Sequence, residues 1–131
     1  MSKAYEAFDT RGRIVTDFAF VQRCFELTCN VYGVDFVDVM KNNRVPPFPE
    51  VRYCVYTFLT EYRGWKSERV SEALQYTVNP STIRHGIEAY YKLAETHPET
   101  MERMRESWGK MKAIETLPSI ENIDKSRHEH G

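Results

Sequence analysis

The chain has 131 residues, 41% of them hydrophobic and 28% charged, with a formal net charge of −1. This balance fits one globular domain with its own core and excludes a disordered chain or two comfortable domains. No apolar run approaches the length of a membrane span, and Met1-Ser2-Lys3-Ala4-Tyr5-Glu6 lacks the apolar stretch of a secretory leader, so a cytoplasmic protein without a membrane partner is expected.

Residues 1–15 show no period and are expected to be a loose arm. A helix is predicted over 16–32, capped by Thr16, with Phe18, Val21, Phe25 and Thr28 or Cys29 recurring at three- and four-residue steps and Gly33 as the stop. A short helix follows, with Asp35 as its cap and Phe36, Val39 and Met40 on its apolar side. Asn42-Asn43-Arg44-Val45-Pro46-Pro47-Phe48-Pro49 carries three prolines, which remove donors and hold the chain extended, so it reads as an ordered loop. The next helix is predicted over 50–62, burying Val51, Cys54 or Val55, Phe58 and Tyr62, and ending at Arg63-Gly64. Ser67 is placed as the cap of a short helix carrying Val70, Ala73 and Leu74. Gln75-Tyr76-Thr77-Val78 makes a turn. Asn79-Pro80 then opens a long helix, because Asn79 can cap the first amides and proline has no amide to satisfy in the first turn. Ile83, Ile87, Tyr90 or Tyr91 and Ala94 form its inner face. Pro98 begins a last helix with Met101, Met104, Trp108 and Met111 at helical spacing, and 117–131 reads as a polar, frayed tail. The expected fold is all-α: a compact bundle of about six helices over 16–116, containing a helix-turn-helix.

A short helix, a tight turn and a longer capped helix form the pattern that places a second helix in a DNA major groove. On the outer face of the helix opening at Pro80 lie Ser81, Thr82, Arg84, His85 and Glu88. Arg84 can donate two hydrogen bonds to guanine, Thr82 can offer its methyl group to thymine, and Ser81 and His85 can hold phosphate or a base. The helix start, capped at Asn79, adds an anion site. Between Lys41 and Lys92 there are eight basic residues against five acidic ones, a local excess of +3 within a chain that carries no overall basic footprint. Arg63, Lys66 and Arg69 in this stretch are expected to contact phosphate.

From about residue 20 to residue 93 the sequence resembles the C-terminal DNA-binding domain of the bacterial replication initiator DnaA, in the Trp-repressor-like helix-turn-helix group. The resemblance rests on the order of elements and on short matches. Val31-Tyr32-Gly33-Val34 and Asp38-Val39-Met40 stand where that family ends one helix and begins an Asp-Leu-Leu-like one. Lys41-Asn42-Asn43-Arg44 stands at its basic loop, and Arg52-Tyr53-Cys54-Val55-Tyr56-Thr57-Phe58 at its Arg-Gln-Ile-Ala-Met-Tyr-Leu-like helix. Asn79-Pro80-Ser81-Thr82-Ile83-Arg84-His85 stands at its Asp-His-Thr-Thr-Val-x-His signature. The resemblance implies that the signature helix reads the major groove through Ser81, Thr82 and His85. It implies that Arg44, with Lys41, works in an adjacent groove or on the backbone. Tyr76-Thr77-Val78 replaces the family's Gly-Gly-Arg and Asn79-Pro80 its Asp-His pair, so the initiator's usual recognition box is not the expected target. No nucleotide-binding domain accompanies the match, and Gly64-Trp65-Lys66-Ser67 lacks the upstream glycine of a phosphate loop. By analogy, the chain resembles the free-standing DNA-binding domains of small phage or mobile-element proteins.

Two readings of function stay open. One is a double-stranded DNA binder in transcription or replication control. The other is a protein-interaction adaptor or antagonist that keeps the fold with weakened DNA contacts, which the near-neutral charge and altered Asp-His pair favour. The Met101, Met104, Trp108 and Met111 stripe is read as core, with a partner protein or self-association through the last helix as its alternative. No catalytic constellation, nucleotide, cofactor or metal is expected. Cys24, Cys29 and Cys54 form no Cys-x-x-Cys pair and read as buried, reduced thiols, and His128-Glu129-His130 reads as polar tail rather than a metal site.

Overall fold

The computed structural model describes residues 2–41 and 44–115, with side chains over 16–41 and 44–114. Six α-helices follow one another: α1 (Ser2–Tyr32), α2 (Phe36–Met40), α3 (Phe48–Thr57), α4 (Ser67–Ala73), α5 (Pro80–Thr96) and α6 (Pro98–Glu115). No strand occurs among the described residues. Among the described residues no helix is long and apolar enough to cross a membrane.

The helix expected from residue 16 is continuous back to Ser2, so Thr16 lies inside α1 rather than capping it. Gly33 ends it at φ +67, where a side chain would be strained, and Val34 N–H reaches back to Cys29 O at 3.0 Å to satisfy a terminal carbonyl. Asp35 begins α2 without a side-chain cap bond. The proline-rich segment yields to helix two residues earlier than predicted: α3 starts at Phe48, with Pro49 in the first turn. Beyond Thr57 the α-helical ladder widens into one π turn, Phe58–Tyr62, which the sequence pattern does not announce. Hydroxyls of Thr57 and Thr60 bond back to Tyr53 O at 2.7 Å and Tyr56 O at 2.9 Å there, a competition that loosens a helix. Gly64, at φ +73, closes the segment. Ser67 proves to be the first residue of α4, not its cap; Lys66 takes the cap position with extended backbone.

Helix α3 is the hub, packing on α1 and α5, while α6 lies across α1 and α5 and α4 packs on α5 and α1. The core gathers Val21, Cys24, Phe25, Val39, Val51, Cys54, Val55, Phe58, Leu59, Val70, Ile83, Tyr90 and Met111. Tyr90, not Tyr91, turns inward from α5, and Tyr62 stays exposed while stacking on Phe58 at 5.2 Å. On α6 the stripe faces inward: Met111 is fully buried, and Met104 and Trp108 pack against the core. Met104, Trp108 and Met111 thus serve the domain's own core, and Met101 is half-buried. The tail expected over 117–131, including His128-Glu129-His130, lies outside the described residues.

Close packing between α3 and α5 depends on Gly86. A Cβ at that position would come within 2.5 Å of the Tyr53 ring. A glycine inside a helix costs about 1 kcal/mol relative to alanine, and here its absent side chain lets the Tyr53 ring lie against the helix backbone.

Candidate nucleic-acid interface

The segment linking α4 to α5 is tightly specified. Tyr76 N–H donates to Ser71 O at 2.8 Å, Gln75 N–H to Glu72 O at 2.9 Å, and Ser71 Oγ–H to Val78 O at 2.6 Å. These bonds hold Gln75 and Tyr76 at φ 58 and 61, a left-handed pair built without glycine. The turn delivers Asn79 in extended conformation as the cap of α5. Asn79 Oδ1 accepts three hydrogen bonds: from Thr82 N–H at 3.0 Å, from Ser81 Oγ at 2.6 Å and from Thr82 Oγ1 at 3.1 Å. Pro80 has no amide, so the helix start keeps Ser81 N–H as its one amide without a helical or capping partner among the described residues. The anion site expected at this helix start is correspondingly thin.

The opening turns of α5 are accessible. Ser81, Thr82, Arg84, His85 and Glu88 are all exposed, while Ile83, Gly86 and Tyr90 face the core. Arg84 pairs with Glu68 of α4 at 3.3 Å, with both side chains more than half exposed. A pair this exposed contributes about 0–1 kcal/mol and exchanges readily for another anion.

A cleft of about 660 Å³ opens between the start of α5 and the segment leaving α2. Thr77, Val78, Asn79 and Thr82 form one wall, Met40, Lys41, Arg44 and Pro49 the other, and Arg52, Tyr53 and Tyr56 of α3 complete it. Three of these residues are cations and none of the described lining residues is a carboxylate. Lys41 and Arg44 are exposed. Arg52 donates from Nη1 to Val39 O at 2.9 Å and Lys41 O at 3.4 Å, fastening the end of α2 to α3. Tyr56 is almost wholly buried; desolvation pushes its hydroxyl up to about 12, with the nearby Arg52 charge opposing, so it meets the cleft as a neutral phenol.

The sequence-predicted residues thus divide. Lys41, Arg44, Asn79 and Thr82 meet in the cleft, and Ser81, Arg84 and His85 continue outward from it along α5. Arg63, Lys66 and Arg69 do not line it. Arg63 and Arg69 lie over Trp65, where Arg69 forms a two-point ion pair with Asp17 (2.8 and 3.0 Å) and lies 4.0 Å from the ring centroid. Arg63 covers Phe20 at 4.7 Å and Lys66 is exposed. No protein-family model, curated protein or solved structure matches this chain.

Sequence reasoning passes over Arg52, Tyr53, Tyr56 and Gly86. The spacing of Arg52 and Tyr56, four apart on one side of α3, is the signal that could have found the cleft floor. Burial raises Cys29 to about 11 and Cys54 to about 12, which makes both poor nucleophiles; Cys24 is buried as well, while His85 and His97 are exposed. Among the described residues no group of three or more His, Cys, Asp or Glu side chains is arranged to hold a metal ion.

Proposed function

We propose that this chain binds double-stranded DNA, with the opening turns of α5 in the major groove and Lys41 and Arg44 on the adjoining backbone or minor groove. The observation that carries the reading is the cleft: three cations and no described carboxylate, walled by the start of an exposed, capped helix. A major groove about 12 Å wide admits one helix, and the first turns of that helix reach base edges. Arg84 would read a base after releasing Glu68. The hydroxyls of Ser81 and Thr82 would exchange Asn79 for phosphate or base acceptors, at little cost because those bonds are already exposed to water. Arg52 would hold the arm that carries Lys41 in place rather than contact DNA.

The DnaA-like order of elements supports a regulatory role in replication or transcription, exercised in the cytoplasm, and that role requires no catalysis. With Asn79-Pro80 in place of the Asp-His pair, the target would differ from the initiator's box. Selection of bound fragments from a random duplex pool, followed by fluorescence polarisation over a salt series, tests the reading. Affinity should fall about tenfold or more over a modest rise in salt, and Arg84→Ala should cost about 1–3 kcal/mol on a selected site. A chain that retains no duplex at low salt, or holds it with no salt dependence, would sink the proposal.

A further inference from the structure

Beside the basic cleft runs a second depression of a different character. It has a volume of about 220 Å³ and is lined by Phe18, Val21 and Phe25 of α1, Phe36 and Met40 of α2, and Leu74 at the end of α4. Gln22 is the one polar residue among its described lining. Val21 and Phe25 are essentially buried and make the floor, whereas Phe18 and Met40 are 38% and 44% exposed and make the rim. Val37, one turn back from Met40, is 56% exposed. Apolar side chains thus line an open depression whose rim is accessible from outside the domain.

We propose that this groove receives one large apolar side chain from an acidic segment of a partner protein, and that the docked segment excludes DNA from the neighbouring cleft. The identity of the occupant follows from charge. Met40 lines both depressions, so a chain anchored in the groove and leading over Met40 enters the space of Lys41, Arg44 and Arg52. No described lining residue there is a carboxylate, so every charge the incoming chain meets in that lining is positive. At the opposite end of α2 stand Asp35 and, in its first turn, Asp38. Asp17, near the rim, is held by Arg69. Along α2 the charge therefore runs from acidic to basic, and the partner's carboxylates belong on the Met40 side of its anchor. Apolar insertion supplies most of the affinity, and the charges supply register and on-rate. A groove for a single anchor implies modest affinity, on the order of micromolar. Docking itself is independent of the DNA proposal. Exclusion rests on that reading, because Lys41 and Arg44 would serve both ligands.

The test is selection of a phage-displayed random peptide library on the folded chain, followed by fluorescence polarisation with the recovered peptides. Recovered peptides should carry a Leu, Phe or Trp flanked by Asp or Glu. Met40→Glu, Phe18→Gln and Lys41→Glu should each weaken them about tenfold or more. Met40 and Phe18 are surface residues, and unchanged circular dichroism of either variant keeps the test valid. Duplex DNA should displace the peptides. Recovered peptides without acidic enrichment, or binding indifferent to all three substitutions, would overturn the proposal. So would sedimentation showing self-association that Met40→Glu abolishes, since a second copy would then be the occupant. If peptides bind as described and no duplex does, docking stands and the DNA reading fails.

Discussion

Two groups of basic side chains in this domain look alike in the sequence and differ in what surrounds them. Around Trp65, Arg69 grips the 7%-exposed Asp17 carboxylate and lies on the indole, and Arg63 covers Phe20. In the cleft below α5, Lys41 and Arg44 are exposed, with no described carboxylate in the lining. The first group holds the N-terminal helix to α4; the second is available to an anion from outside. A count of lysines and arginines along the chain treats both alike. Only the tertiary neighbours say which guanidinium is already neutralised.

The sharpest way to break this comparison is charge reversal. Lys41→Glu with Arg44→Glu should lower duplex affinity by about a hundredfold or more at low salt and flatten the salt dependence by about two phosphate contacts, read by fluorescence polarisation. The next effect in size lies at the other group and in another observable. Arg69→Ala should cost about 1–3 kcal/mol in urea unfolding, because it leaves the Asp17 carboxylate buried without its partner; partial exposure of Arg69 keeps the loss below that of a fully buried pair. Its duplex affinity should change by less than about twofold. An Arg69→Ala variant of unchanged stability that loses DNA would reverse the roles assigned to the two groups.

A third test probes the wall of the cleft. Gly86→Ala brings a methyl group within 2.5 Å of Tyr53, whose ring lines the cleft. Overpacking of this kind costs about 1–3 kcal/mol, partly offset by the better helix propensity of alanine, about 1 kcal/mol. Measured within a Tyr53→Ala background, Gly86→Ala should no longer destabilise, and persistence of its loss there would show that the ring is not the obstacle.

The parts of this architecture legible in the sequence are those set by local chemistry. Asn79-Pro80 announces a capped helix, Gly33 and Gly64 announce stops, and the spacing of Ile83, Tyr90 and Ala94 announces a buried face. What escapes either leaves no periodic signal in the chain or depends on neighbours distant along it. The first half of α1 lacks an apolar period, so nothing in 1–15 advertises helix, and the π turn after Thr57, where the Thr57 and Thr60 hydroxyls bond to carbonyls one turn back, has no signature in the apolar pattern. Arg52 is one basic residue among eight in its stretch of sequence until α2 places Val39 and Lys41 carbonyls against it. Ser67 and Asp35 have the chemistry of caps, yet no side-chain cap bond forms at the start of either helix. A good cap residue is a permission, which the path of the preceding chain can leave unused.

The smallest expected effect concerns the carboxylate that, among the described residues, is bonded to the proposed reading face. Glu68 lies 3.3 Å from Arg84, and both side chains are more than half exposed. Glu68→Gln removes a charge that repels phosphate and frees the guanidinium, while the lost surface pair contributes about 0–1 kcal/mol. Stability should therefore move by less than about 0.5 kcal/mol. Duplex affinity should rise about two- to fivefold at low salt, and the gain should shrink as salt screens the Glu68 charge. The same substitution in an Arg84→Ala background should yield a smaller gain, because only the general repulsion is then relieved. Equal gains in both backgrounds would mean that Glu68 acts as a distant charge and that Arg84 does not reach the duplex; no gain in either would place the duplex away from the opening turns of α5.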